Sequence, residues 1–384
     1  MTDSAAIRLL RDYVAIPSVN PMGRADIPDE IAGETRLADH IRSGLRALGV
    51  DAELVGAGAR QSVVAEIRCA NPEAETVLVA SHLDTVPIDG MEIAPFDPRI
   101  EAGRLSGRGS CDTKAGMAAL IAALEPLLSR GVLRRNLILV GEADEELSSV
   151  GVYDVLRALG GRRPDWVLAT EPTELRVVHH HKGVAHARIV ASGRACHASE
   201  PELGSNAIVA LARAAVALDG LAARLSERPA SELGPATLSI GRFNGGHAPN
   251  VVPDHAELIA DRRVLPSESI EDVEREITAA IRSAGIGDQV RVAGCRLEKP
   301  ALGTPPDHRS VEACLAALRG LGLPAARASV AFGTDAGVFQ SEAGIAGVVM
   351  GPGSIQRAHT AREYVEIDQV ESMTRFFTAL LTRA

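Results

Sequence analysis

Four short apolar runs, each followed directly or within a short loop by a histidine or a carboxylate, constrain this chain more than any other feature. TVLVAS (76–81) leads into His82-Leu83-Asp84 and NLILVGEA (136–143) into Asp144-Glu145-Glu146. DWVLAT (165–170) leads into Glu171-Pro172, and AGVVMG (346–351) into a Gly/Pro/Ser-rich loop that reaches Ala358-His359-Thr360. Short, continuous apolar runs bounded by loops read as fully buried strands. The stretch 115–129 (AGMAALIAALEPLLS) reads as a helix packed on their sheet. Such alternation specifies an α/β fold, a mixed and mostly parallel sheet between helices. Ligands of open α/β sheets sit beyond the carboxyl ends of the strands. A fifth loop, GRGSCDTKAG (107–116), places Asp112 just before the helix.

The middle of the chain has a different rhythm. GVAHARIVASGR (183–194) alternates as a strand does, 205–225 is a long helix, and 236–243 and 255–264 are strands. A charged amphipathic helix follows at 269–285. Strand, helix, strand, strand, helix, strand is a ferredoxin-like α+β unit. An inserted domain is therefore expected at 179–295, with a larger domain built from 1–178 and 296–384.

Composition removes whole classes of function. With 384 residues and 46% apolar content there is material for two or three packed domains. No apolar run approaches the roughly 18 residues of a membrane span. The N-terminal stretch, with Asp3, Arg8, Arg11 and Asp12 among apolar positions, reads as an amphipathic helix and not as a secretory signal. A net charge of −10 and only 3% aromatics argue against a nucleic-acid partner. Five scattered cysteines without a CxxC pair point to reduced thiols in a cytoplasmic protein and offer no cysteine metal site.

Histidine nitrogen and carboxylate oxygen suit zinc and its borderline neighbours. Carboxylates gathered at one sheet edge repel one another unless a cation lies between them. Two ions about 3.5–4 Å apart, sharing one carboxylate, would relieve that repulsion.

Taken in order, SHLDTVP, GRGSCDTKAG, ADEE, TEP, and GPGS followed by AHT resemble a family of zinc hydrolases. That family comprises acetylornithine deacetylases, succinyl-diaminopimelate desuccinylases, aminoacylases and glutamate carboxypeptidases. The resemblance spans essentially the whole chain. It implies two divalent ions, zinc with cobalt or manganese as alternatives. His82, Asp112 and Glu171 would hold one, Asp112, Glu146 and His359 the other, and Asp112 would bridge. It further implies that Asp84 orients the His82 ring, and that the Asp112–Thr113 peptide is cis. Glu145 would be the general base, taking a proton from the water between the metals and passing it to the leaving amine. The inserted domain would be a lid and dimerisation domain. There His197 would stabilise the oxyanion, and Asn250 and Arg263 would grip the substrate. Arg262 stands where relatives usually carry an apolar residue, which leaves open which arginine points inward. His247 also departs from the small polar residue expected there.

Other features have plainer readings. His179-His180-His181 reads as a strand end with its rings facing different ways. Cys111 reads as a passive small residue. The glycines of 107–116 lack a phosphate-loop ending. Asp335 either lines the site or caps the next helix. The expected function is hydrolysis of an N-acyl-L-amino acid by a homodimer. Acetylornithine deacetylase is favoured, because GTDAGVF followed by GPGSIQRAHTAREYVEI resembles that branch. A desuccinylase, or a carboxypeptidase or dipeptidase with the same metal core, is the alternative. An inert binding or dimerisation relative would have lost the base or a ligand, and none is missing.

Overall fold

The computed structural model describes residues 4–228 and 232–383; Asp3, one charged position of the expected N-terminal helix, lies outside them. The chain divides into two compact units. The first holds the chain up to His179, Thr304–Ala328 and the chain from Thr334 onward; the second holds His180–Gly303 and Ser329–Gly333.

At the centre of the first unit four strands run parallel, in the order Asn136–Glu142, Thr76–His82, Trp166–Ala169, Gly347–Val349. Register is continuous across them, from Thr76 opposite Asn136 to His82 opposite Glu142, and from Val77 opposite Trp166. The flanks are antiparallel: Arg60–Ile67 pairs with Asn136–Glu142, Ala52–Ala57 lies outside it, and Val178 pairs with Val349. The central strands are buried along their length because both faces are covered. Val77, Val79, Leu137, Leu139, Trp166 and Leu168 face one core, shared with the helices Ala5–Ala15, Lys114–Arg130 and Ile367–Leu381. The alternate residues Leu78, Ala80, Ile138, Val140 and Val167 face a second core under the helices Val150–Leu159 and Asp335–Ala343. The helix Lys114–Arg130 is apolar nearly all round, which fits a buried helix and not a surface one.

In the second unit four antiparallel strands lie in the order Thr237–Gly245, His255–Val264, Gly183–Ser192, Val290–Lys299. The helices Ala207–Ser226 and Ile270–Ser283 cover one face over a core of Ala, Val, Ile and Leu. In chain order the strands lie 2-3-1-4, the ferredoxin-like arrangement. The unit extends eight residues past position 295 because its last strand continues to Lys299 before the chain leaves.

Candidate metal centre

Parallel strands end on one edge of a sheet, so four loops meet beyond His82, Glu142, Ala169 and Val349. Three of these loops turn at non-glycine residues in the left-handed region: Asp144 (φ 64°) and Ser149 (φ 56°) after Glu142, Glu174 (φ 56°) and Leu175 (φ 61°) after Ala169, and His359 (φ 57°) after Val349. Such backbone costs of order 1–3 kcal/mol per residue and persists where its surroundings over-determine it. The fifth loop carries a cis peptide between Asp112 and Thr113.

The five expected ligands converge as two overlapping groups. Asp112 turns one oxygen to each side: Oδ1 lies 3.0 Å from His82 Nε2, and Oδ2 lies 3.1 Å from His359 Nε2. Glu171 Oε2 approaches His82 Nε2 at 3.9 Å, and Glu146 Oε1 lies 3.0 Å from His359 Nε2. One donor atom each of His82, Asp112 and Glu146 lie within 4.8 Å of one another. His82 and the three carboxylates are nearly enclosed, whereas the His359 side chain is 49% exposed.

The electrostatics follow from this crowding. Burial alone would lower the His82 pKa, but its hydrogen bonds to Asp112 and Asp84 and the charge of Glu171 raise it well above the usual imidazole range. His359 is likewise raised, to about 11, with Asp112 and Glu146 outweighing its burial. Burial opposes ionisation of Asp112, yet the two histidines hold its carboxyl well below the ordinary range. Burial and the charge of Asp112 push Glu146 up to about 7. The protons of two imidazoles thus offset the negative charge of Asp112, and cations of higher charge at the same place would do so more fully. Two imidazoles and three carboxylates form a donor set that fits zinc, cobalt or manganese.

Asp84 organises more than the ring it was expected to orient. His82 Nδ1 lies 3.0 Å from the main-chain oxygen of Asp84 and 3.4 Å from its Oδ1. The same carboxylate accepts hydrogen bonds from the main-chain N–H groups of Glu145 (3.1 Å) and Glu146 (3.0 Å). Asn20, which sequence reasoning missed, donates its amide to Asp84 (2.9 Å) and to Asp144 (2.8 Å), and Arg60 pairs with Asp144. Glu34 is fully buried nearby, and among the described residues no donor reaches either of its carboxyl oxygens. Burial, with the charges of Asp84 and Asp144, pushes its pKa up to about 8. Glu363, also missed, accepts hydrogen bonds from the Asp112 loop.

Asp335 does not cap its helix; the cap is Thr334, which accepts from Ala336 N, while Asp335 Oδ1 takes the Ser149 hydroxyl at 2.5 Å. The buried Cys111 thiol donates to Ser354 O at 3.4 Å, and burial raises its pKa. The three consecutive histidines turn to different acceptors: Thr304 O, Glu232 and Lys182 O.

In the second unit, His197 and Asn250 share a short ribbon, with His197 opposite Val251 and Ala198 N bonded to Asn250 O. The His197 Nδ1 accepts the Ser199 main-chain N–H at 3.2 Å, which places the ring's proton on Nε2 when it is neutral. The two arginines separate by strand alternation. Arg262 is buried against Glu268 and Glu276, whereas Arg263 lies on the other face beside Asp261. His247 is exposed.

The chain is 29% identical over 373 residues to the acetylornithine deacetylase of Proteus mirabilis, covering 95% of this chain and 93% of that one. It is 33% identical over 325 residues to an Aspergillus niger protein named as a probable carboxypeptidase, covering 80% and 73%. Among solved structures it is similar to a Bacillus subtilis protein described as a dinuclear metal-binding peptidase. That match has a TM-score of 0.71 at 19% identity and covers 98% of this chain and 96% of that one. Residues 78–383 match the sequence profile of peptidase family M20/M25/M40, and the chain belongs to that family of metal-dependent hydrolases of amide bonds.

Proposed function

We propose that this protein is a dinuclear metal amidohydrolase that removes the acyl group from N-acyl-L-amino acids, with N-acetylornithine as the leading substrate. The observation that carries the reading is Asp112, whose two oxygens address His82 and His359 separately. One ion would be held by His82, Asp112 and Glu171 and the other by Asp112, Glu146 and His359. Zinc is the proposed metal, with cobalt and manganese compatible.

The metals, when bound, lower the pKa of water and polarise the scissile carbonyl. Glu145 takes the proton of the attacking water and delivers it to the leaving nitrogen. Asp84 keeps the His82 proton on Nδ1, presenting Nε2 toward Asp112, and anchors the main chain of Glu145 and Glu146. His197 donates its Nε2–H to the oxyanion, in its own subunit or in that of a partner copy. Arg263 takes the substrate carboxylate, for which a guanidinium fork is matched, and Asn250 completes the grip. The second unit serves as the lid and as the contact of a homodimer, which light scattering tests directly. Among the described residues no helix is long and apolar enough to cross a membrane. The five free cysteines support a reducing, cytoplasmic setting.

The deciding experiment is a set of initial rates with metal-loaded enzyme and a chelated control. The substrates are N-acetylornithine, N-succinyl-diaminopimelate, neutral N-acetyl amino acids and simple dipeptides. Chelator-sensitive hydrolysis led by N-acetylornithine is expected. A lead by a dipeptide favours the carboxypeptidase or dipeptidase reading, which the 33% identical relative supports. No turnover of any member by fully metallated protein would overturn the deacylase assignment.

A further inference from the structure

The proposed chemistry leaves Glu363 without a task, yet its surroundings are unusual. The residue follows His359 by four positions and is fully buried. Its carboxylate accepts four hydrogen bonds from one short segment. Oε2 takes Arg108 Nη1 (2.6 Å) and the main-chain N–H of Gly109 (3.0 Å). Oε1 takes the main-chain N–H groups of Cys111 (2.9 Å) and Asp112 (3.0 Å). The main-chain oxygen of Glu363 also accepts from Gly107 N at 3.1 Å.

We propose that Glu363 is a positioning residue that sets Asp112 between the two ions; this rests on the dinuclear reading above. Asp112 must place its two oxygens toward different histidines, so a small rotation or shift of its main chain disturbs both sides together. The Asp112 N–H is fixed by Glu363 Oε1, and Glu363 belongs to the same segment as His359. One carboxylate therefore ties the bridging residue to a ligand of the second ion. The two oxygens divide the work: of the pair, Arg108 reaches Oε2, while among the described residues Oε1 meets only the amides of Cys111 and Asp112. The positioning role lies with Oε1, and the ion pair with Arg108 is separable from it.

That separation can be tested without leaving a buried charge unpaired. In the double variant Arg108→Met/Glu363→Gln the ion pair is gone but one acceptor oxygen remains for Cys111 and Asp112. In Arg108→Met/Glu363→Met the ion pair and the acceptor are both gone. Metal-free proteins are titrated with cobalt(II) by calorimetry and visible absorption, with melting curves as the check of folding. The Gln variant is expected to bind two ions as the unaltered protein does. The Met variant should bind at least one ion about 10–100-fold more weakly, the range seen when partners behind metal ligands are removed. Equal cobalt affinity in the two variants would overturn the proposal and leave Glu363 a structural ion-pair partner. Hydrogen exchange of the unaltered protein gives an answer independent of any variant. The Cys111 and Asp112 amides should be protected and should gain protection with cobalt, and fast exchange at both would equally overturn the clamp. An unaltered protein that binds no cobalt would instead overturn the dinuclear reading itself.

Discussion

Replacing Asp84 by Asn changes one atom and keeps the shape, so it isolates what the carboxylate does. The carboxylate receives two pairs of donors. Oδ1 takes Glu145 N–H at 3.1 Å and faces His82 Nδ1 at 3.4 Å; Oδ2 takes the Asn20 amide at 2.9 Å and Glu146 N–H at 3.0 Å. An amide has a single oxygen, so one pair must face its NH2 group. Turning that group toward Asn20 would cost two good bonds, and Asn20 cannot flip to repair them. Its oxygen already accepts Met22 N at 3.0 Å, and its NH2 holds Asp144. The amide therefore turns its NH2 toward Glu145 and His82. His82 still has the main-chain oxygen of Asp84 at 3.0 Å, which leaves Glu145 N–H as the donor whose bond to this carboxylate is lost. That lost bond, plus bonds weakened by loss of the charge, amounts to about 2–4 kcal/mol at ~1.5–3 kcal/mol per charge-assisted bond. The single tryptophan, Trp166, lies fully buried in the sheet of the first unit and reports that unit's urea unfolding. In metal-free protein Asp84→Asn should lower the unfolding free energy by that amount, read as a lower midpoint at unchanged slope. It should also reduce kcat by about two orders of magnitude, within the range of a general base's contribution. Because the carbonyl keeps the His82 tautomer, metal affinity should fall by less than about tenfold, the lower bound for lost partners behind ligands. A stability loss below about 1 kcal/mol, or lost metal with unchanged kcat, would refute the reasoning.

Three further outcomes follow from the same geometry. Glu145→Gln removes the proposed base while the main-chain bond from residue 145 to Asp84 stays, so kcat should fall about 10²–10⁴-fold with calorimetric metal binding unchanged. Glu34 has its carboxyl raised from 4.5 to about 8 by burial and by Asp84 and Asp144, with Arg60 opposing. The folded state keeps a proton that the unfolded chain releases above its ordinary pKa, so this group's contribution falls as pH rises between those two values. The slope is at most about 1.4 kcal/mol per pH unit. Glu34→Gln should therefore be more stable than the unaltered protein at pH 8, the advantage vanishing near pH 4.5 in urea titrations across pH. A Cβ at Gly116 would lie 2.3 Å from Thr170 Oγ1 and 2.4 Å from Thr170 Cβ, where the helix after Asp112 meets the strand end before Glu171. Gly116→Ala should lower stability by about 1–3 kcal/mol through overpacking, measured by the same Trp166 transition.

How much of this was legible in the sequence depends on where each contact's information resides. His82, Glu146, Glu171 and His359 were readable because each follows a buried strand, and parallel strands in register must deliver their ends to one edge. The second unit was readable from alternation, as in HAELIADRRV, whose even positions are buried along the strand His255–Val264. The same alternation separates Arg262 from Arg263, a distinction that residue type alone could not make. The short strands Arg99–Glu101, Arg104–Ser106 and Tyr364–Glu366 were not legible: three residues are too few for a period, and the first is exposed throughout.

Asn20 and Glu363 escaped for a different reason. Asn20 meets Asp84 across 64 positions and Asp144 across 124, and Glu363 meets Arg108 across 255. Long separation alone does not hide a residue, since His359 lies 213 positions from Glu146 and was found. The difference lies in the partners. His359 is recognised by its own chemistry at a strand-end loop, whereas Glu363 is defined by the main-chain N–H groups of Gly109, Cys111 and Asp112. Asp84 has a similar second role toward the N–H groups of Glu145 and Glu146. Main-chain donors are present at every non-proline residue and leave no mark on the sequence. A site assembled from loops needs such donors satisfied wherever the loops are buried. In this protein a carboxylate from a distant segment satisfies them at each of the two loops that carry Asp112 and the Glu145-Glu146 pair. The proposed ligand set is thus written in residue types, while the stiffness of the loops that hold it is written in contacts that appear only once the chain has folded.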